Sequence, residues 1–358
     1  MEVEFDRTGF KFVVRFAAQF TLIYFLVSFS SNLFFDNIYG DHGYALEVGK
    51  ENLASVISHE TSSADNPAIT LGFVGDIMLD RGVWQVVSIN GRGDFKFIFE
   101  RSQEELNNLD LLFGNLEGPV SDKGRDLGAL YSFRMNPDVI DALLYAGFSV
   151  LSLANNHAGD WGEEALRDSI NRLGRAGISH VGAGLSAEEA YKPLVFDVDG
   201  FKVAILAFTE STGIYEGGNI ALAREEKVRE SIQSAQNTDI ADFIVAYFHF
   251  GDEYQREPNE RQRKLSYAAV DSGADLVIGS HSHVTQSAEK YKDSLIVYSL
   301  GNFVFDQYFS DETMRGWLLK VFIGSDGEVV GMKLCDVFIN PLFQPVVLSC
   351  NPAVDFYK

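Results

Sequence analysis

Short apolar runs that end abruptly at polar residues organise the chain from residue 69 onwards. Ile69–Gly75 (ITLGFVG) stops at Asp76, and Leu109–Gly114 (LDLLFG) stops at Asn115-Leu116-Glu117. Phe148–Leu153 stops before Asn155-Asn156-His157, and Phe243–Phe248 (FIVAYF) stops at His249. Leu276–Ile278 stops at Gly279-Ser280-His281-Ser282-His283, Leu295–Leu300 stops at Gly301-Asn302, and Ile205–Phe208 is similar. Runs of this length without polar alternation predict buried strands. Between them, Arg101–Leu109, Pro137–Ala146, Gly162–Ala176, Ile220–Gln236 and Glu260–Ser272 carry the helical period. Pro137 suits a first helical position, and Gly147 and Gly177 suit helix stops. Strands alternating with helices predict an α/β sheet protein. The C-terminal part differs. Trp317–Ile323, Ser325-Asp326-Gly327 and Val329–Val337 read as a β-hairpin, which predicts a second, antiparallel sheet stacked on the first. No internal repeat or low-complexity tract is present.

Residues 16–35 carry no charge, with Arg7, Lys11 and Arg15 before them and Asp36, Asp41 and Glu47 after them. The run is long enough to cross a bilayer as a helix, and the flanking charges favour an inside N-terminus. Three readings stay open: a membrane anchor, a cleaved signal with Ser28-x-Ser30 as the cleavage site, or an apolar helix of a soluble protein. The first two make the protein membrane-anchored with an extracytoplasmic catalytic domain, or secreted. Residues 36–68 read as a linker, and residues 69–358 as the main domain.

The 358 residues carry a net charge of -22, spread along the chain, and no Lys/Arg cluster fit for nucleic acid. Such a surface disfavours DNA and RNA as partners. Two cysteines, Cys335 and Cys350, make neither a metal cage nor a disulfide framework; they pair if the C-terminal part is exported, or stay as unpaired core thiols.

The chemistry sits where the apolar runs stop. Asp76, Glu117, Asn156, His157, His249, His281 and His283 all lie at such ends, and they include four of the seven histidines. Sites in α/β sheets form just beyond the C-terminal ends of strands. Nitrogen and oxygen donors without thiolates suit Zn, Fe, Mn or Mg. A carboxylate such as Glu117 can bridge two ions, which together clamp the oxygens of a hydrolytic transition state. No dinucleotide fingerprint, P-loop or nucleophile elbow competes, and Ser280 and Ser282 lack the context of a serine nucleophile.

In order and spacing, GDIML (Gly75–Leu79), GNLEGPV (Gly114–Val120), ANNHAGDWG (Ala154–Gly162), HFGDEY (His249–Tyr254), GSHSHVTQ (Gly279–Gln286) and YSLGNFVFDQ (Tyr298–Gln307) resemble the CapA-type capsule-synthesis family. That family is associated with poly-γ-glutamate biosynthesis and belongs with the calcineurin-like metallophosphoesterases. The resemblance covers about Ile69 to Gln307. It implies a four-layer α/β/β/α sandwich with two mixed sheets and a site for two divalent metal ions (Mn, Zn, Fe or Mg). It makes Asp76, Glu117, Asn156, His249, His281 and His283 the metal ligands, with Glu117 in place of a bridging aspartate, and His157 the catalytic acid. Arg134 in YSFRMNP, Asn155 and Asn302 are the substrate-binding candidates, Arg134 because a guanidinium suits carboxylate or phosphate.

The implied activity is that of a metal-dependent hydrolase or transferase acting on a poly-γ-glutamate-like cell-surface polymer in capsule synthesis. A non-catalytic accessory protein of a capsule synthesis and export complex, and a metal-dependent phosphoesterase, are the alternatives. Partners are then an anionic cell-surface polymer and other capsule synthesis or export proteins. Two positions depart from the pattern. Met78 stands where the wider superfamily has a histidine, so one ion loses an imidazole, and Phe250 stands where relatives often have tryptophan.

Overall fold

The computed structural model describes residues 68–237 and 240–351. The expected N-terminal apolar segment and nearly all of the linker lie outside the described residues. Among the described residues, no helix is long and apolar enough to cross a membrane.

The chain runs through β1 (Ile69–Ile77), α1 (Arg81–Asn90), a 3-10 segment at Phe95–Phe99, α2 (Gln103–Leu106), β2 (Leu111–Leu116), α3 (Val139–Tyr145), β3 (Val150–Ser152), α4 (Gly162–Ala176), β4 (Ser179–Val181) and α5 (Ala187–Ala190). It continues through β5 (Leu194–Val198), β6 (Phe201–Thr209), α6 (Glu225–Asn237), β7 (Phe243–His249), α7 (Glu260–Val270), β8 (Leu276–Ser280), β9 (Thr285–Tyr291), β10 (Ser294–Leu300) and β11 (Asn302–Val304). The strands β12 (Arg315–Ile323), β13 (Val329–Ile339) and β14 (Pro345–Cys350) complete it.

Two mixed sheets result. One has the order β14-β13-β12-β1-β2-β3-β4, with β11 also paired to β1; the other has the order β5-β6-β7-β8-β10-β9. The apolar runs are continuous because both faces of these strands are covered. In β6, Val203, Ile205 and Ala207 join the core between the sheets, while Ala204, Leu206 and Phe208 join a second core with α6 and α7. In β7, Phe243, Val245 and Tyr247 face the first core and Ile244, Ala246 and Phe248 the second. On the other sheet, Ala142 and Leu143 of α3 and Leu166, Ile170 and Leu173 of α4 add an outer helical layer. The order is helix, sheet, sheet, helix, as the resemblance implied.

The hairpin is present, with β12 and β13 antiparallel. It does not build a separate sheet. β12 pairs antiparallel with β1 and so extends the first sheet, because its own apolar face continues the inter-sheet core. The stacked second sheet comes instead from β5–β10. Helix α3 begins at Val139 and not at Pro137. Asn136 Oδ1 accepts the Asp138 N–H at 2.9 Å, and this local turn holds Pro137 outside the helix. Helix α4 ends as expected, with Gly177 at φ 80°. Cys335 and Cys350, opposite each other on β13 and β14, form a disulfide.

The segment after β2 is tied to α4 by buried polar contacts. Val120 N–H donates to Ser169 Oγ at 3.1 Å, and Ser121 Oγ donates to Asp168 at 2.8 Å. Lys123 and Arg172 reach the same carboxylate at 2.9 and 2.7 Å. Burial alone would raise the Asp168 pKa, but Lys123, Arg172 and Ser121 outweigh it and hold it at about 2. A carboxyl depressed in the folded state adds stability above its unfolded pKa and loses it as pH falls through the folded value. Asp168→Asn is therefore expected to lower the unfolding free energy by about 1–3 kcal/mol near neutral pH. Denaturant unfolding across a pH series should show this deficit closing as pH falls from about 4 towards 2.

Candidate functional site

The C-terminal ends of the central strands of both sheets converge. Asp76 on β1 is in register with Asn115 on β2 and with Asn302 on β11. This needs a close approach at Gly75, where a Cβ would run into the Gly301 carbonyl oxygen. From the other sheet, β7 ends on His249, and the loop after β8 carries His281 and His283, both at positive φ (91° and 57°). The loop backbone sends these two imidazoles to different neighbours. His281 Nδ1 lies 3.0 Å from His249 Nε2, whereas His283 Nε2 lies 3.8 Å from Glu117 Oε1.

The two carboxylates are fully buried but served differently. Asp76 accepts the Asn115 side-chain amide at 2.8 Å and the His281 backbone N–H at 3.1 Å, with His249 and His283 nitrogens at 3.6 and 3.5 Å. Burial would raise its pKa; the two histidines overcome that and hold it well below the usual carboxylate range. Glu117 has no such support. Among the described residues neither of its oxygens has a hydrogen-bond partner, and burial beside Asp76 pushes its pKa well up. The imidazoles divide in the same way. Burial lowers His249, and burial with neighbouring imidazoles lowers His281 well below its ordinary value. Burial would also lower His283, but Glu117 and Asp76 reverse this and raise it to about 9.

Lone pairs therefore collect at one place. Asn156 Oδ1 lies 2.7 Å from His249 Nε2, which also faces His281 Nδ1. Two groups have donor atoms within 4.8 Å of one another: Asp76, Glu117 and His249, and Glu253, His281 and His283. A buried carboxylate with two unpartnered oxygens beside converging imidazoles fits a divalent cation, and nitrogen and oxygen donors suit a transition ion.

His157 stands apart from that knot. Its Nδ1 is 2.7 Å from Asp160 Oδ2, its Nε2 is 3.8 Å from Glu117 Oε1, and its ring packs 4.1 Å from that of Phe133. It borders a pocket of about 180 Å³ also lined by Arg81, Tyr131, Tyr254, His283 and Phe305. Asn156 and His157 point to different neighbours although adjacent.

The three expected substrate residues lie elsewhere. Arg134 stacks its guanidinium 3.6 Å over the Trp161 ring and is not among the pocket residues. Asn155 is buried, donating to Asn115 Oδ1 and the Leu116 carbonyl and accepting the His157 N–H. Asn302 is buried with its Oδ1 2.9 Å from His283 Nδ1, which orients that ring. Both asparagines are consumed by the scaffold. Met78 is buried, and its sulfur accepts the Asp80 N–H at 3.2 Å.

Sequence reasoning left out Asn115, Asp160, Glu253 and Arg81. Asn115 shares a strand face with Glu117 by the two-residue period, and Asp160 follows His157 by three positions, so both carried a readable signal. Glu253 lies inside HFGDEY, but its exposed place beside His281 and His283 depends on the loop.

Residues 70–307 match the family model described as bacterial capsule synthesis protein PGA_cap. The chain is 35% identical over 280 residues to the capsule biosynthesis protein CapA of Bacillus anthracis, covering 74% of this chain and 66% of that one. It is 34% identical over 247 residues to the PGA biosynthesis protein CapA of Bacillus subtilis, covering 67% and 64%. The matches thus span slightly under two thirds of these relatives' own lengths. A Mycobacterium tuberculosis protein described as a "probable polyglutamine synthesis accessory protein" is 26% identical over 333 residues, covering 77% of this chain and 87% of that one. Among solved structures, a Candida albicans 5'-nucleotidase aligns at 12% identity with a TM-score of 0.45, over 78% of this chain and 53% of that one. The Thermus thermophilus sulfate thiohydrolase SoxB aligns at 12% and 0.45, over 80% and 58%.

The unpartnered Glu117 oxygens generate a test that needs no substrate. Glu117→Gln replaces a carboxyl whose ionisation its site disfavours with a neutral group of the same shape, so the metal-free variant should melt no lower than the metal-free wild type. Adding Mn or Zn at about 100 times its Kd should stabilise the wild type by about 2.7 kcal/mol. The variant should lose most of that gain in thermal melts; an equal gain would remove Glu117 from the ligand set.

Proposed function

This chain belongs to the bacterial capsule synthesis protein family PGA_cap, and from that premise we propose that it is a metal-dependent hydrolase or transferase acting on an amide-linked, poly-γ-glutamate-like polymer at the cell surface. The observation that carries the reading is the Glu117 carboxylate, buried and unpartnered among imidazoles, with His157 between it and an open pocket.

Asp76, Glu117, Asn156, His249, His281 and His283 are the residues that would hold two divalent ions, with Glu253 beside the last two. Such ions supply Lewis-acid polarisation of a carbonyl and a nucleophile at neutral pH. The chain's own part is proton transfer and orientation. Asp160 fixes the His157 ring through Nδ1, which leaves Nε2 to give a proton to the departing amine. Asn302 fixes His283 in the same manner, so its Nε2 faces Glu117. Tyr131, Phe133, Tyr254, Phe305 and Phe309 wall the pocket.

A location outside the cytoplasm is supported by the uncharged 16–35 run with its flanking charges and by the Cys335–Cys350 disulfide, since such bonds persist in oxidising compartments. The accessory-protein reading has one observation in its favour: Met78 lends its sulfur to the backbone instead of offering an imidazole.

Purified protein should contain close to two equivalents of divalent metal and should act on γ-glutamyl polymers in preference to peptidyl polymers and phosphodiesters. His157→Ala should keep its metal and melting temperature while turnover falls about 100- to 10,000-fold, the usual worth of general acid catalysis. Loss of metal in this variant would make His157 a ligand, and unchanged turnover would remove the proposed acid. Full metal content with no turnover on any of these polymers would favour the accessory reading. A topology reporter fused after Asp65 should be active outside the cytoplasm; activity confined to the cytoplasm would overturn the proposed location.

A further inference from the structure

The pocket beside His157 contains a cation that the chemistry above leaves unused. Arg81 opens α1 with its backbone at φ 51°, a conformation that non-glycine residues adopt at a cost and that tends to persist at functional sites. Its side chain is held on several sides. Nε and Nη2 donate to Asp306 at 3.1 and 2.5 Å, and the Gly82 N–H donates to the same carboxylate at 3.0 Å. The guanidinium lies 5.0 Å from the centre of the Phe133 ring and 5.9 Å from that of Tyr131. The other side of the geometry is His157, whose ring is 4.1 Å from the same Phe133. One aromatic ring thus separates a fixed guanidinium from the proposed acid.

The exposure of the pair is unequal. The Asp306 side chain is 8% exposed and that of Arg81 35%, so the carboxylate sits behind and the cation in front. Among the described residues, Arg81 is the one lysine or arginine lining this pocket, and no other protein acceptor takes its remaining N–H groups. A guanidinium has five N–H donors in a planar fork, and Asp306 engages only part of it. The free part suits a second carboxylate.

We infer that Arg81 is a specificity residue that binds a free carboxylate of the substrate next to the bond served by His157. The inference rests on the polymer reading above. In a γ-linked glutamate chain the carbon that bears each amide nitrogen also bears a free α-carboxylate, so an anion lies beside every bond to be cut. His157 would then serve the departing amine and Arg81 the carboxylate one carbon away. On a protein with a net charge of -22, a fixed cation at this point offsets the repulsion that a polyanion meets elsewhere.

The test is binding of a short γ-linked glutamate oligomer, and of the same oligomer with its carboxylates methyl-esterified, to the full-length metal-loaded protein by calorimetry. Because Arg81→Gln alone would strand the Asp306 charge, the double variant Arg81→Gln with Asp306→Asn is measured beside it. Wild type is expected to prefer the acid, and both variants to bind the acid about 10- to 100-fold more weakly, the worth of a charge-assisted pair, with ester binding and metal content unchanged. Acid binding equal to wild type in the folded double variant overturns the inference, as does equal wild-type affinity for acid and ester. The two readings fail separately. An Arg81-dependent preference without turnover sinks the proposed reaction but not the site, and turnover with an unchanged KM in the variants sinks the site but not the reaction.

Discussion

Two carboxylates buried side by side at the ends of β1 and β2 set the terms for the residues around them. Taking a carboxylate out of water costs several kcal/mol even after relaxation, and a second one nearby adds repulsion. The fold answers the first charge internally: Asp76 takes an amide from Asn115, a backbone N–H from the loop after β8, and two nearby imidazoles. It does not answer the second. Among the described residues Glu117 is left with oxygens that have no hydrogen-bond partner, beside imidazoles and other acids. An unsatisfied group of this kind is a poor way to stabilise a fold and a good way to hold a cation.

The sheet architecture makes that arrangement attainable. Asp76, Asn115 and Asn302 meet because their strands are in register, and His249 meets Ser280 for the same reason in the other sheet. Registers of this kind are fixed by the inter-sheet core, since a one-residue slip would turn Val203, Ile205 and Tyr247 away from it. The asparagines then act as spacers between charged groups. Asn155 joins β2 to the His157 backbone, and Asn302 joins β11 to the His283 ring. Packing at a distance and the geometry of the site are in this sense one constraint.

Much of this was legible in the sequence, and what was not has identifiable causes. Strands buried on both faces announce themselves as unbroken apolar runs, so β1, β2, β6, β7, β8 and β10 could be read, and with them the positions where the polar site residues emerge. Edge strands such as β4 and β5 are short and half exposed, and their pattern is too weak to stand out. The hairpin β12–β13 was readable as a hairpin, but which sheet it joins depends on pairing across a long sequence separation with β1. Side-chain direction was harder still. Arg134 carries the right charge in the right segment, yet the indole of Trp161 captures it, while Arg81, in a left-handed backbone conformation no pattern forecasts, occupies the pocket.

Met78 is engaged by the backbone at the end of β1. Its buried thioether turns to the backbone and takes the Asp80 N–H. Asp80 in turn accepts the Arg134 N–H at 2.8 Å, so the strap that carries Phe133 against His157 is anchored through Met78. The group of Asp76, Glu117 and His249 offers two carboxylates and one imidazole. The group of Glu253, His281 and His283 offers two imidazoles and one carboxylate, and Asn156 adds an amide oxygen beside His249. Two cations placed across such a site would not be equivalent. The nitrogen-rich side suits a borderline transition ion and the oxygen-rich side a harder one, because donor type governs that preference. A thioether, soft and already engaged by an N–H, adds to neither, and the asymmetry follows from which strand supplies which donor.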